Sequence, residues 1–164
     1  MADAIELKVE DRNIRELLTK IGHKCEDRRP LMRNIAGIMH DAVEENFEQE
    51  GRPHRWKKSK RAEKQGGKTL QDSGQMASSI VERSDNDEAV VTTNKIQAAA
   101  HHFGIDKTVN VKQRTRKSGR KSIAKGGGAA HSRKMKIPAR PFMVLTDGDK
   151  EKITDAARDY LLKN

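Results

Sequence analysis

Residues 107–136 hold eleven Lys or Arg and not one Asp or Glu. A run of like charge that long repels itself and offers few apolar side chains, so it cannot build a core of its own. A second basic segment, residues 52–68, carries eight Lys or Arg against a single acid, Glu63. The whole chain is +10, so what lies outside these two segments sums to −8. The sequence therefore reads as an acidic body bearing two basic segments. Its 164 residues suit one domain. Core material is scarce: 34% of residues are hydrophobic, 35% charged and 3% aromatic, so part of the chain must lie outside any monomeric core. The expected organisation is a single domain over 1–164, with a basic loop at 52–68 and a basic arm at 105–136.

Periodicity supplies the elements. Ile5, Leu7 and Val9 alternate with polar residues, which predicts a short half-buried strand. Asn13 followed three later by Glu16 matches a capping box. Ile14, Leu17, Leu18 and Ile21 then fall on one helical face, in a helix ending near Cys25. Pro30 suits the first turn of a second helix, with Leu31, Ile35, Ile38, Met39, Ala42 and Phe47 as its stripe and Gly51 and Pro53 closing it. Trp56 is the one large apolar anchor of the basic loop. Asp72 with Gln75 is expected to cap a short helix through Met76. Two strands are expected at 80–83 and 89–93, around the turn at 84–87. A short helix over 98–103 stops at Gly104. Pro138 and Pro141 bracket an extended segment that is an edge strand at best. Asp147 or Asp149 caps a last helix with apolar Ile153, Ala156, Ala157, Tyr160 and Leu161. The fold class is α+β: two N-terminal helices, a small antiparallel sheet, a long basic arm and a C-terminal helix.

Sites of chemistry are sparse. Gly66-Gly67-Lys68-Thr69 looks like the end of a phosphate-binding loop, but Ala62 stands where that motif needs glycine and no buried strand precedes it. A flexible turn is the simpler reading. His23 and Cys25 are too few for a zinc site. His101, His102, Asn110 and His131 would have to meet around one ion to make a metal nuclease. Adjacent helical residues point about 100° apart, so one histidine is expected packed at the helix end and the other at the surface. Cys25, the lone cysteine, excludes an intramolecular disulfide; near a helix C-terminus it reads as a small packing residue. No cofactor and no metal is expected. No charged-then-apolar leader and no apolar run of about 18 residues is seen, so a soluble cytoplasmic protein is expected. The arm's candidate polyanion-facing residues are Lys112, Arg114, Arg116, Lys117, Arg120, Lys121, Lys125, Arg133 and Lys134. With no aromatic between 107 and 136, base stacking is not available and any DNA contact is through phosphates. The other reading of the arm is a clamp on an acidic protein surface.

Several strings in order carry a resemblance: Glu45-Asn46-Phe47; Gly51-Arg52-Pro53 with Trp56; residues 70–76 from Leu70 through Asp72, Ser73 and Gly74 to Met76; Thr93-Asn94-Lys95; residues 98–104 with His102, Phe103 and Gly104; and Ile137-Pro138-Ala139-Arg140-Pro141-Phe142. Over residues 5–162 this pattern resembles the phage virion morphogenesis, or tail completion, family of Mu-like phages and prophages. The resemblance implies a structural, non-enzymatic role in finishing the tail near its joint with the head, in a ring around the DNA channel. Implied partners are further copies of itself, six in the usual ring, other neck and tail proteins, and DNA passing non-specifically. It implies assembly in the host cytoplasm and residence in the virion. Candidate oligomer or packing residues are Trp56, Asp72, Ser73, Gly74, His102, Phe103, Gly104, Pro138, Arg140, Pro141 and Phe142. Phe103 and Phe142 are expected as buried anchors. Arg140, between two prolines with fixed φ, sits on a pre-extended segment suited to a neighbouring sheet edge or to packing within its own chain. The competing readings are a general nucleic-acid-binding protein, which accounts for the charge alone, and a metal nuclease built on His101, His102 and His131.

Overall fold

The computed structural model describes residues 11–111 and 131–163. The strand expected at 5–9, and Lys112 through Lys125 of the arm, lie outside them. The elements run α1 (Arg12–Glu26), α2 (Arg29–Glu48), α3 (Lys60–Gln65), a 3-10 turn (Ala77–Ser79), β1 (Ile80–Ser84), β2 (Ala89–Thr93), α4 (Ile96–Phe103), β3 (Ile105–Val111), β4 (His131–Ile137) and α5 (Asp147–Leu162). The strands make two antiparallel hairpins, β1–β2 and β3–β4, so the α+β class stands. Among the described residues no helix is long and apolar enough to cross a membrane. The chain divides into two compact units: Met1–Glu44, Ile80–Thr92 and Leu145–Asn164 form one, and Glu45–Ser79 with Thr93–Val144 the other.

In the first unit the start of α1 differs from expectation. Asp11, not Asn13, is the N-cap, and its carboxylate accepts from the Asn13 and Ile14 amides at 3.0 and 3.2 Å. The α1 stripe is real but is left in solvent: Ile14, Leu17 and Leu18 are exposed and no residue of α1 is buried. On α2, by contrast, Leu31, Ala36, Ala42 and Val43 are buried. α1 and α5 meet where the Tyr160 hydroxyl donates to the Asp27 carbonyl and Lys24 lies 5.7 Å over the Tyr160 ring. The tip of the β1–β2 hairpin is closed by Asp85, which accepts from the Asp87 and Glu88 amides at 2.7 and 2.9 Å. Arg28, between α1 and α2, holds that tip: its amide donates to Asn86 Oδ1 at 2.7 Å and its guanidinium pairs with Asp87.

α5 opens on Thr146 rather than on Asp147 or Asp149. Thr146 Oγ1 accepts from the Asp149 amide at 3.3 Å, and Asp149 Oδ2 accepts from the Thr146 amide at 2.9 Å. The threonine is the cap and the buried aspartate its reciprocal partner.

The second unit holds the larger departures. A turn of helix, α3, interrupts the basic loop, started by Ser59 Oγ accepting from the Ala62 amide at 3.2 Å and anchored by buried Ala62. No helix begins at Asp72: Gly74 turns away at φ +71°, and the following residues make the 3-10 turn instead. The expected long loop at 105–136 begins and ends as the β3–β4 hairpin, registered from Ile105 opposite Ile137 to Val111 opposite His131. Its apolar alternation, Ile105, Val109, Val111 against Met135 and Ile137, is outnumbered by charge and so is faint in the sequence. Residues 138–144 form no strand.

Replacing the α5 cap, Thr146→Ala, removes one partner of the capping box and should cost about 1 kcal/mol of unfolding free energy, read as a lowered denaturation midpoint with an unchanged m-value.

Candidate functional site

The proline-bounded segment 138–144 is the centre of the second unit. Pro138 and Pro141 have no amide proton, so the segment cannot sustain a ladder, and its other polar groups must be met one by one. Three elements meet them. Asn46, fully buried at the end of α2, donates its side-chain amide to the Phe142 carbonyl at 2.8 Å and the Val144 carbonyl at 2.9 Å. The Trp56 indole donates to the Pro141 carbonyl at 3.0 Å. On α4 the His101 carbonyl accepts from the Arg140 amide at 2.8 Å, and His102 Nδ1 faces the Phe142 and Met143 amides at 3.4 and 3.5 Å. These contacts are the packing within its own chain that was one of the two readings of the segment.

Aromatic packing fills the centre. The Phe142 ring, 1% exposed, lies 5.2 Å from both the Phe47 and His102 rings, and Phe47 meets Trp56 edge-on at 5.8 Å. Two glycines let backbone approach this closely. A Cβ on Gly51, at φ +110°, would stand 2.7 Å from the Trp56 side chain, and one on Gly104, at φ +78°, 2.8 Å from the Ala139 nitrogen. Phe103 is not buried within the chain as expected: it is 78% exposed, because α4 turns its neighbour His102 toward Phe142 instead. Nor is one histidine at the surface. Both His101 and His102 are half-buried.

Arg140 is buried at 5% exposure, with Nε donating to the Lys57 carbonyl at 2.9 Å. Burial pushes its pKa down, and among the described residues no carboxylate opposes that shift. Arg140 and His101 both line two clefts. One, of about 290 Å³, brings in Asp72, Ser73 and Gly74 with Arg61 and Gln97. Asp72 and Ser73 are exposed there, and Asp72 reaches Arg61 at 3.5 Å. The other, of about 460 Å³, is lined by Lys57, Lys58, Lys60 and Lys136 and by no acid. It also includes Pro138, while Pro141 is exposed. His101 Nδ1 is buried without a hydrogen-bond partner.

Of the polyanion-facing candidates, Arg133 and Lys134 sit exposed on β4, Lys134 within 3.8 Å of Asp106. The other seven lie outside the described residues. Lys57, Lys58, Lys60 and Lys136 were not singled out by sequence reasoning, their one signal being the basic counts of residues 52–68 and 107–136; His101 was raised there as part of a metal nuclease. The phosphate-loop lookalike is a structural turn: buried Thr69 donates its amide to Glu50 Oε1 at 2.6 Å, so an acid occupies its donor. A three-ligand cluster in the first unit, His40, Asp41 and Glu44, was also unforeseen; it lies at the surface.

Phe142→Ala should cost about 3–5 kcal/mol and Phe103→Ala under about 0.5 kcal/mol in urea unfolding, reversing their expected equivalence. The pH dependence follows from the histidines. Burial is the main cause lowering both pKa values, with the Arg140 charge adding at His101. The unfolded chain then binds protons more readily, so stability present above the ordinary imidazole range is lost as pH falls below about 6.5 toward the folded values. A His101→Gln/His102→Gln chain should show a flatter melting temperature between about pH 7 and pH 5 than the parent.

Comparison with known proteins agrees with this arrangement of strings. The phage virion morphogenesis family matches residues 9–162. The chain is 36% identical over 157 residues to the Mu-like prophage FluMu G protein 2 of Haemophilus influenzae, covering 94% of this chain and 95% of that protein. No solved structure matches significantly. With its motif segment at the heart of the second unit and the match running almost end to end, this chain belongs to the phage virion morphogenesis family.

Proposed function

We propose that the protein completes the phage tail and joins it to the head as a non-enzymatic ring subunit around the DNA channel. The observation that carries this reading is how charge is divided between the two compact units. The first holds thirteen Lys or Arg against eighteen Asp or Glu, net −5; the second holds twenty-one against six, net +15. A chain with an acidic unit and a basic unit is complementary to its own copies in the head-to-tail sense, and a head-to-tail contact whose rotation closes makes a ring. The family supplies the setting, since virion morphogenesis is a structural task. Six copies is the number usual for such rings, and neck and tail proteins are the further partners. Assembly takes place in the host cytoplasm, and the mature location is the virion.

A general nucleic-acid-binding factor is the second reading, favoured by the acid-free cleft at Arg140. It explains the basic unit but not the acidic one.

Electron microscopy of particles from cells in which the phage lacks this gene separates the two. Full heads beside unjoined or ragged tails, restored by the intact gene, are the expected result. Complementation with a chain lacking residues 107–136 reports whether the arm is required. Normal joined virions without the gene would overturn tail completion.

A further inference from the structure

A buried guanidinium ordinarily has a carboxylate, because an unpaired charge out of water is costly. Arg140 has none among the described residues. Its single side-chain acceptor is the Lys57 carbonyl, which leaves four of the five guanidinium N–H groups without a described protein acceptor while the side chain lines both clefts. The Arg140 terminal nitrogens are not fully buried and open onto these clefts, whereas His101 beside it keeps a buried ring nitrogen unpartnered. Around these two stand Lys57, Lys58, Lys60 and Lys136. The acids that act on two of these lysines are weak competitors: Lys136 reaches Asp106 at 3.9 Å in an exposed pair, and Lys58 acts on Glu50 through space.

We propose that this cleft is a phosphate-binding site for the backbone of a nucleic acid, with Arg140 as its buried fork and the four lysines as its outer charges. The planar donor fork of arginine matches phosphate oxygens, and lysine serves as a point charge on the same group. The choice of phosphate over a carboxylate of a second copy rests on charge count. Contacts between copies redistribute charge without removing it, so every copy in a ring remains at +10. One docked carboxylate neutralises one of five cations at the cleft, whereas a backbone brings a phosphate at each nucleotide. The cleft offers no Phe, Tyr or Trp, so the contact carries no base stacking and reads no sequence. None of the arm residues 112–125 is part of the proposed site. It does not depend on which end of the tail the protein completes, so binding in solution and particle assembly can succeed or fail independently.

The test is fluorescence anisotropy of the full chain with a short random-sequence DNA duplex, between roughly 50 and 200 mM salt. Lys57→Gln/Lys58→Gln/Lys60→Gln changes exposed side chains and is expected to fold. It should weaken binding tenfold or more at the lower salt and reduce the slope of log K against log salt by about two to three. Arg140→Gln, with folding checked by circular dichroism, should reduce the slope by about one. Should that variant not fold, the triple variant decides. Unchanged affinity and slope in the triple variant would overturn the proposal. So would unchanged DNA binding accompanied by loss of self-association in sedimentation, which would give the cleft to a carboxylate of a second copy.

Discussion

Asn46 has no solvent exposure, and its side-chain amide holds two carbonyls almost a hundred residues away in sequence, those of Phe142 and Val144. Losing the buried bond to Phe142 would leave its carbonyl unpaired, at a cost of about 1–3 kcal/mol. The clasp does more than satisfy acceptors. It brings the last turn of α2 against a segment whose prolines deny it a sheet, and so sets the Phe47 and Phe142 rings together. Trp56 and α4 then have a fixed surface to pack on. Arg52 adds to the same point: Nε donates to Asn46 Oδ1 at 3.0 Å, and its guanidinium pairs with Glu45. The buried amide is thereby met on both its donor and acceptor sides.

The same segment explains why a cation is buried. Arg140 lies between Ala139 and Pro141, and its amide is bound to the His101 carbonyl, so its side chain leaves the backbone from a fixed place. That side chain runs along the two clefts that it lines. The lysines of the basic loop arrive at the same cleft because the Lys57 carbonyl accepts from Arg140 and α3 begins two residues later at the Ser59 cap. One hydrogen-bonded segment thus gathers cations from the two basic parts of the chain, Lys57 to Lys60 from one and Lys136 from the other. In a family whose task is virion morphogenesis, such a gathering is the feature most directly readable as a contact with another molecule.

The elements with strong period or punctuation were legible from residues alone. α2, the two strands at 80–84 and 89–93, α4 with its glycine stop, and α5 stand where their patterns put them. Three kinds of feature were not. Caps shifted because several Asp, Asn and Thr compete near each helix start and only the final backbone path selects one: Asp11 over Asn13, Thr146 over Asp147. α3 and the β3–β4 hairpin were hidden by lysine and arginine, whose charge masks a weak apolar alternation. The burial of Phe142 and exposure of Phe103 could not be told apart by composition, since both are aromatic residues in motif strings and the helix phase decides which neighbour faces inward.

By itself the sequence determined the charge layout, an acidic body with basic segments, and the family, through short strings whose order is kept along the chain. Both are properties of residue identity and need no coordinates. The tertiary structure decided the site. Lys57 and Lys136 are far apart in the chain, and nothing in either segment says that they share a cleft around Arg140. That meeting depends on long-range hydrogen bonds made by Asn46, Trp56 and the backbone of α4. Such bonds are set by where buried donors find acceptors after the chain has closed, and a linear pattern does not encode that outcome.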